Sequence, residues 1–195
     1  MSTRRLFVGT FLTPEQQQAL GSLKGHRDDL SRLWHRKLRF VNSLKLHMTW
    51  IFLGDVEEEN LAAVTEALAE ATTGRKRSAI VYDGIDFWPS PGKPRQLVMT
   101  SRAVPDEMVA LAGEIRRSLK PFAARPDDRA FRPHITLLRF DSAPGAHARG
   151  RLSLPEDLHL ERVLPLAHKI DDVSLIESHL GSGQDEYEVL KSFPL

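Results

Sequence analysis

Two short stretches carry the residues whose chemistry stands out, His47-Met48-Thr49 and His134-Ile135-Thr136. On an extended strand residues two apart share a face, so each stretch offers an imidazole beside a hydroxyl while Met48 or Ile135 turns the other way. Two histidines on opposite sides of a cyclic phosphate can open it. One takes a proton from water and the other protonates the sugar oxygen that departs. Imidazole suits both tasks because its ordinary pKa of about 6.5 leaves either form accessible near neutrality. The hydroxyls of Thr49 and Thr136 can donate to the non-bridging phosphate oxygens and stabilise the charge of the transition state. One His-x-Thr on a strand means little; two copies at matching places in similar units point to a site. Clustered histidine also binds metal, but a zinc site generally wants three or four ligands, and neither stretch has Asp, Glu or Cys at ligand spacing. The expectation is a site without metal or cofactor. The remaining histidines, His26, His35, His147, His159, His168 and His179, have no repeated context and are read as surface residues.

The elements that must position these stretches follow from hydrophobic periodicity. Leu6 to Leu12 reads as a buried strand, and Thr13-Pro14-Glu15 supplies an N-cap, a first-turn proline and a first-turn acid for a helix to about Trp34. From Leu44 to Leu53, Leu46, Met48, Trp50 and Phe52 alternate with Lys45, His47, Thr49 and Ile51, which predicts a two-faced strand with Phe52 on the core side. Helical spacing follows from Glu57 to about Ala71, then extended chain from Ala79 to Trp88, a proline-rich turn, and a strand from Gln96 to Thr100. The order then repeats, with a helix from about Pro105 to Phe122 and a strand from 134 to 140. Each strand-helix-strand unit thus closes on a His-x-Thr strand, which would make the two strands symmetry mates about a cleft between two sheets. Asp141 to Pro155 reads as a loop, and runs near His168 to Ser178 and Glu186 to Phe193, around Gly181-Ser182-Gly183, as a closing hairpin.

Composition bounds the rest. With 195 residues and 41% apolar content, the chain can bury a substantial core in one domain or two lobes that share it. Lys plus Arg number 27 against 26 Asp plus Glu, a formal charge of +1, so nucleic-acid contact would need a local patch, for which Arg95, Arg132 and Arg139 are candidates. The absence of cysteine excludes disulfides and a thiolate nucleophile. No apolar run approaches the roughly 18 residues of a membrane span, and the brief run after Met1-Ser2-Thr3-Arg4-Arg5 is too short for a signal-peptide core. A monomeric cytoplasmic protein is expected.

The stretches Leu46-His47-Met48-Thr49-Trp50-Ile51-Phe52-Leu53-Gly54 and Phe131-Arg132-Pro133-His134-Ile135-Thr136-Leu137-Leu138-Arg139 resemble those of the 2H phosphoesterases, specifically the RNA 2',3'-cyclic phosphodiesterases long described as 2'-5' RNA ligases. The opening Arg5-Leu6-Phe7-Val8 and the closing Tyr187-Glu188-Val189-Leu190 and Phe193-Pro194-Leu195 are similar too, so the likeness runs over almost the whole chain. It implies a bilobal α+β fold over residues 1–195, with two pseudo-symmetric antiparallel or mixed sheets, outer helices and a central cleft lined by the two His-x-Thr strands. It also implies metal-independent conversion of RNA ends carrying a 2',3'-cyclic phosphate to 2'-phosphates, with 2'-5' ligation as the reverse. Carried over by position, His47 corresponds to the general acid, His134 to the general base, Thr49 and Thr136 to phosphate binders and Arg139 to a phosphate contact. Strict alternation puts Arg139 on the face opposite His134, so that role requires a bulge late in the strand. Phe52 holds the corresponding place after His47 and could stack on a terminal base, against its reading as a core residue. Lys45 and Trp50 depart from the expected asparagine and aliphatic residue. The alternatives are a phosphodiesterase for another small cyclic phosphate and an RNA-binding protein on the same fold.

Overall fold

The computed structural model describes residues 2–125, 129–141, 152–155, 163–179 and 186–195. The turn at Gly181-Ser182-Gly183, most of the 141–155 loop, His147 and His159 lie outside them. The strands are β1 (Thr3–Phe11), β2 (Leu38–Phe40), β3 (His47–Glu57), β4 (Ser78–Tyr82), β5 (Gly84–Trp88), β6 (Gln96–Thr100), β7 (His134–Phe140), β8 (Leu166–Ile170), β9 (Asp172–His179) and β10 (Glu186–Pro194). The helices are α1 (Pro14–Gly21), α2 (Arg27–Trp34), α3 (Leu61–Thr72) and α4 (Asp106–Leu119).

Helix α1 starts where the sequence signals it. Thr13 accepts from the Gln16 backbone N–H while the Gln16 side chain accepts from the Thr13 N–H, a reciprocal capping box that satisfies two otherwise orphaned donors. The expected single helix to Trp34 is broken at Ser22–His26 by a tighter 3-10 turn, and α2 ends where His35 adopts the left-handed conformation (φ 48°). The extended run 79–88 divides at Asp83, with β4 pairing β8 in a small two-stranded sheet and β5 joining the large one.

The large sheet has the order β10-β9-β1-β3-β7-β6-β5, with β2 also on β7, and all its pairings are antiparallel. Its centre is palindromic: β9-β1-β3 on one side mirrors β5-β6-β7 on the other, and β1-α1-α2-β3 corresponds to β6-α4-β7. The two central strands, β3 and β7, are joined at one residue pair, Met48 with Ile135, both fully buried. Further along β7 the partner is β2, which pairs Leu38 with Phe140 and Phe40 with Leu138. Because β7 begins at His134 while β3 runs on to Glu57, the strands part company beyond their single shared pair, and that parting opens the cleft. One contiguous core lies beneath, drawing on Leu6, Val8, Trp50 and Leu53 from one half and Leu97, Met99, Ile135 and Leu137 from the other.

Candidate active site

The antiparallel register, carried one residue to either side of Met48 and Ile135, sets His47 opposite Thr136 and Thr49 opposite His134. All four are half-buried, on the face away from Met48 and Ile135. The two histidines occupy one diagonal of this rectangle, and diagonal neighbours on paired strands lie about 7–8 Å apart at the backbone, room for a phosphate between them.

Both rings are held by the same device. Nδ1 of His47 lies 2.7 Å from the carbonyl oxygen of Lys45, and Nδ1 of His134 lies 2.8 Å from that of Arg132. A carbonyl only accepts, so Nδ1 carries the hydrogen in each ring, leaving Nε2 to hold or release the working proton. The Lys45 side chain is thus not what seats His47; its main chain is.

A bulge recurs at the same place on each strand. Gly9 faces Thr49 and Val8 faces Ile51, which leaves Trp50 as the extra residue on β3; Val98 faces Thr136 and Leu97 faces Leu138, which leaves Leu137 extra on β7. Each extra residue stands three positions after its histidine. Two consecutive side chains then enter the core, Trp50 with Ile51 and Leu137 with Leu138, and the alternation restarts in the opposite phase. Phe52 and Arg139 therefore come out exposed on the histidine side. The core position expected for Phe52 is overturned: it is 62% exposed, and Ile51, expected on the polar face, is buried. Trp50 fills the core in place of an aliphatic residue, and its indole N–H donates to Thr10 Oγ1 at 3.0 Å, whose hydroxyl donates to the Asp172 carbonyl at 2.8 Å.

The surroundings of the two rings differ. His47 lies against Phe7 (4.9 Å between ring centroids), Tyr187 (5.3 Å) and Phe11 (5.9 Å). Gly9 makes this packing possible, since a Cβ there would stand 3.0 Å from the Met48 carbonyl and 3.4 Å from His47 Cδ2. Burial among these rings is the main reason the His47 pKa falls to about 4; the bond to Lys45 opposes the fall, and the positive charges of His134 and Arg139 add to it. His134 sits beside Trp88 (4.4 Å), over which the Arg132 guanidinium stacks at 4.5 Å. Its pKa is also lowered, first by burial, with the bond to Arg132 opposing and the charges of Arg132 and Arg129 adding. Sequence reasoning missed Phe7, Phe11, Trp88 and Tyr187 as neighbours of the histidines, because these residues come from three strands, β1, β5 and β10, and no spacing links them.

Beyond Thr49 the cleft widens into a groove of about 700 Å³ between β3 and the segment leading to His134, with Phe52, Arg5, Arg116, Arg125, Arg129 and Arg132 in its walls. Of the arginines expected at the cleft edge, Arg132 lines this groove and Arg95 does not. Among the described residues, the one set of three metal-ligating types with converging atoms is Glu177, His179 and Glu188 on β9 and β10, and it includes neither motif histidine. His168, read as a surface residue, is fully buried on β8, where Nε2 donates to the Phe11 carbonyl at 3.0 Å.

This arrangement is matched by known proteins. Residues 14–182 fit the family model of the 2'-5' RNA ligase superfamily. The chain belongs to that superfamily. It is 27% identical over 198 residues to the RNA 2',3'-cyclic phosphodiesterase of Aquifex aeolicus, covering 100% of this chain and 99% of that one. A protein of the same name from Archaeoglobus fulgidus is 34% identical over 102 residues, 52% of this chain, and the match spans little more than half of that relative (56%). The crystal structure of E. coli LigT in apo form superposes with a TM-score of 0.73 over 100% of this chain and 98% of that one at 21% identity, a likeness of fold. Its α+β architecture is that of the superfamily.

Proposed function

We propose that the chain hydrolyses the 2',3'-cyclic phosphate at RNA ends to a 2'-phosphate, with His47 as general acid, His134 as general base and no metal. The observation that carries the reading is the matched seating of the two rings, each Nδ1–H fixed to a carbonyl two residues back and each Nε2 left for the shared face with Thr49 and Thr136. Water enters in line with the bond to the 3'-oxygen. Nε2 of His134 takes its proton as the new P–O bond forms, the P–O3' bond breaks, and the Nε2 proton of His47 passes to the departing 3'-oxygen. Thr49, Thr136 and Arg139 hold the non-bridging oxygens, and Phe52 offers a face to the terminal base.

The surroundings of the His47 ring support this division of roles. An imidazolium whose pKa is driven to about 4 is a strong proton donor and its neutral form a poor base. At pH 7 only about one free molecule in a thousand carries that proton; the phosphate anion offsets the apolar pocket and the positive neighbours, raising the value as substrate binds. Reversal of the same steps joins RNA ends through a 2'-5' bond. The setting we assign is a cytoplasmic monomer; among the described residues no helix is long and apolar enough to cross a membrane. The test is to incubate the protein, in excess EDTA, with RNA ending in a 2',3'-cyclic phosphate. A 2'-phosphate as sole product is expected. Loss of turnover restored by one divalent metal, or a 3'-phosphate product, overturns the proposal.

A further inference from the structure

The small β4-β8 sheet buries Ile80, Tyr82, His168 and Ile170 on its inner face and exposes Ala79, Val81, Ala167 and Lys169 on the other. By pattern an aliphatic residue suits position 168, whereas a buried imidazole must place its polar atoms. Nε2 does so by donating to the Phe11 carbonyl at 3.0 Å. Nδ1 has no hydrogen-bond partner among the described residues, so a second proton would add a donor with nothing to accept it. Burial accordingly lowers the His168 pKa, against the bond to Phe11 and the charge of Asp171. The ring is a neutral, fixed donor.

What that donor holds is the end of β1. The Leu12 N–H donates to the Leu46 carbonyl at 3.0 Å, so Leu12 faces β3 and Phe11, one residue earlier, turns its carbonyl to the opposite edge. β9 covers that edge only as far as Gly9. Beyond it side chains replace the ladder: the Thr10 hydroxyl donates to the Asp172 carbonyl at 2.8 Å, and His168 supplies the donor for Phe11. The Gln16 amide, in the first turn of α1, donates in turn to the Ala167 carbonyl. Phe11 pairs with His47 in the β1-β3 register, and its ring lies edge-on to the imidazole at 5.9 Å. In the other half Thr100 pairs with His134 as Phe11 pairs with His47, and the Thr100 carbonyl accepts from the Asp83 N–H at 3.0 Å, just before β5. One half uses main chain at this place; the other, whose β9 ladder stops short, uses the His168 side chain.

We infer that His168 is a positioning residue for His47: through the Phe11 carbonyl it holds the end of β1, and with it the Phe11 ring, against the imidazole that serves as acid. This rests on the phosphodiesterase reading above and adds a residue to its machinery. Fully buried, His168 meets no substrate and acts only through the strand it holds. Loss of its bond frees the Phe11 main chain on the edge that β9 has left, so the ring can tilt away from His47. A proton donor displaced even slightly reaches the departing 3'-oxygen less well, while substrate binding on the shared face is unchanged.

The test measures kcat and KM in the unaltered protein, His168→Leu, His168→Gln and Tyr82→Phe, on an RNA cyclic phosphate with the ordinary 3'-oxygen and on one with sulfur in its place. His168→Leu is expected to lower kcat about tenfold on the oxygen substrate, with KM changed by less than about twofold. His168→Gln, whose side-chain amide offers a donor toward the same carbonyl, should restore most of that loss. Tyr82→Phe alters a ring 6.2 Å from His168 but spares the bond, and should cause none. A sulfur leaving group needs no proton, so the His168→Leu deficit should disappear on that substrate, and adding His168→Leu to His47→Ala should cost nothing further on either. Equal deficits on both substrates, or a further loss of similar size in the double variant, make His168 merely structural and overturn the proposal. His168→Met, which also fills the space without a donor, gives the same comparison if the leucine variant does not fold. The NMR shifts of the His47 ring, which the neighbouring Phe11 ring influences, should move in His168→Leu and return in His168→Gln. If the unaltered protein turns over neither substrate, the phosphodiesterase reading fails and positioning is judged by those shifts, unmoved shifts overturning it.

Discussion

β3 and β7 share a skeleton and differ in what surrounds it. On both, Nδ1 bonds the carbonyl two residues back, a threonine follows two positions after the histidine, and a bulge three positions after it re-aims the outward residue five after it. Yet His47 is walled by Phe7, Phe11 and Tyr187, while His134 lies between Trp88 and arginines, and the re-aimed residues are Phe52 on one strand and Arg139 on the other. In the proposed mechanism the repeated backbone sets where two protons are exchanged, and the unlike surroundings set which ring gives and which takes.

The largest effects should come from the repeated part. His47→Ala and His134→Ala are each expected to reduce turnover by about two to four orders of magnitude, the usual worth of a positioned acid or base; a near-normal rate in either variant would remove that ring from the chemistry. Thr49→Val and Thr136→Val come next, with losses of about a hundredfold each if the hydroxyls meet the developing charge. Because symmetry places the hydroxyls alike, a large loss in one and none in the other would show that only one threonine faces the phosphate.

Smaller effects should come from the part that differs. The proposed mechanism requires a free enzyme with His47 charged and His134 neutral, and both pKa values lie below the ordinary 6.5. The kcat/KM profile should therefore hold between a limb near pH 4 and a second limb below 6.5, and fall about tenfold per pH unit above that. A plateau from pH 7 to 9 would mean that no histidine proton is needed. Tyr187→Ser lets water back to the His47 ring and should move the acidic limb upward from about 4; an unmoved limb would assign that limb to another group.

Much of this arrangement was legible in the sequence, and the failures share a cause. The His134–Phe140 strand, the Thr13 cap and the repeat of strand, helix and strand follow from local patterns that tertiary packing did not override. The inward turn of Ile51 and outward turn of Phe52 were missed because a bulge leaves only a faint trace, two adjacent apolar residues where one is due. The same trace at Leu137-Leu138 marks the bulge that a phosphate contact by Arg139 requires. His168 looked like a surface residue because the bond that lets it be buried runs to the Phe11 carbonyl, far away in sequence. The groove arginines come from segments without a common spacing, and only the divergence of β3 from β7 gathers them.

Whether two similarly seated histidines divide acid from base can be read by replacing the 3'-bridging oxygen of the cyclic phosphate with sulfur. A thiolate departs readily without a proton, so the acid becomes dispensable while water must still be activated. This substrate is expected to restore most of the turnover lost in His47→Ala and little of that lost in His134→Ala. Rescue of His134→Ala instead would reverse the two roles, and failure of both would contradict the claim that either ring serves as a simple proton donor to the leaving oxygen.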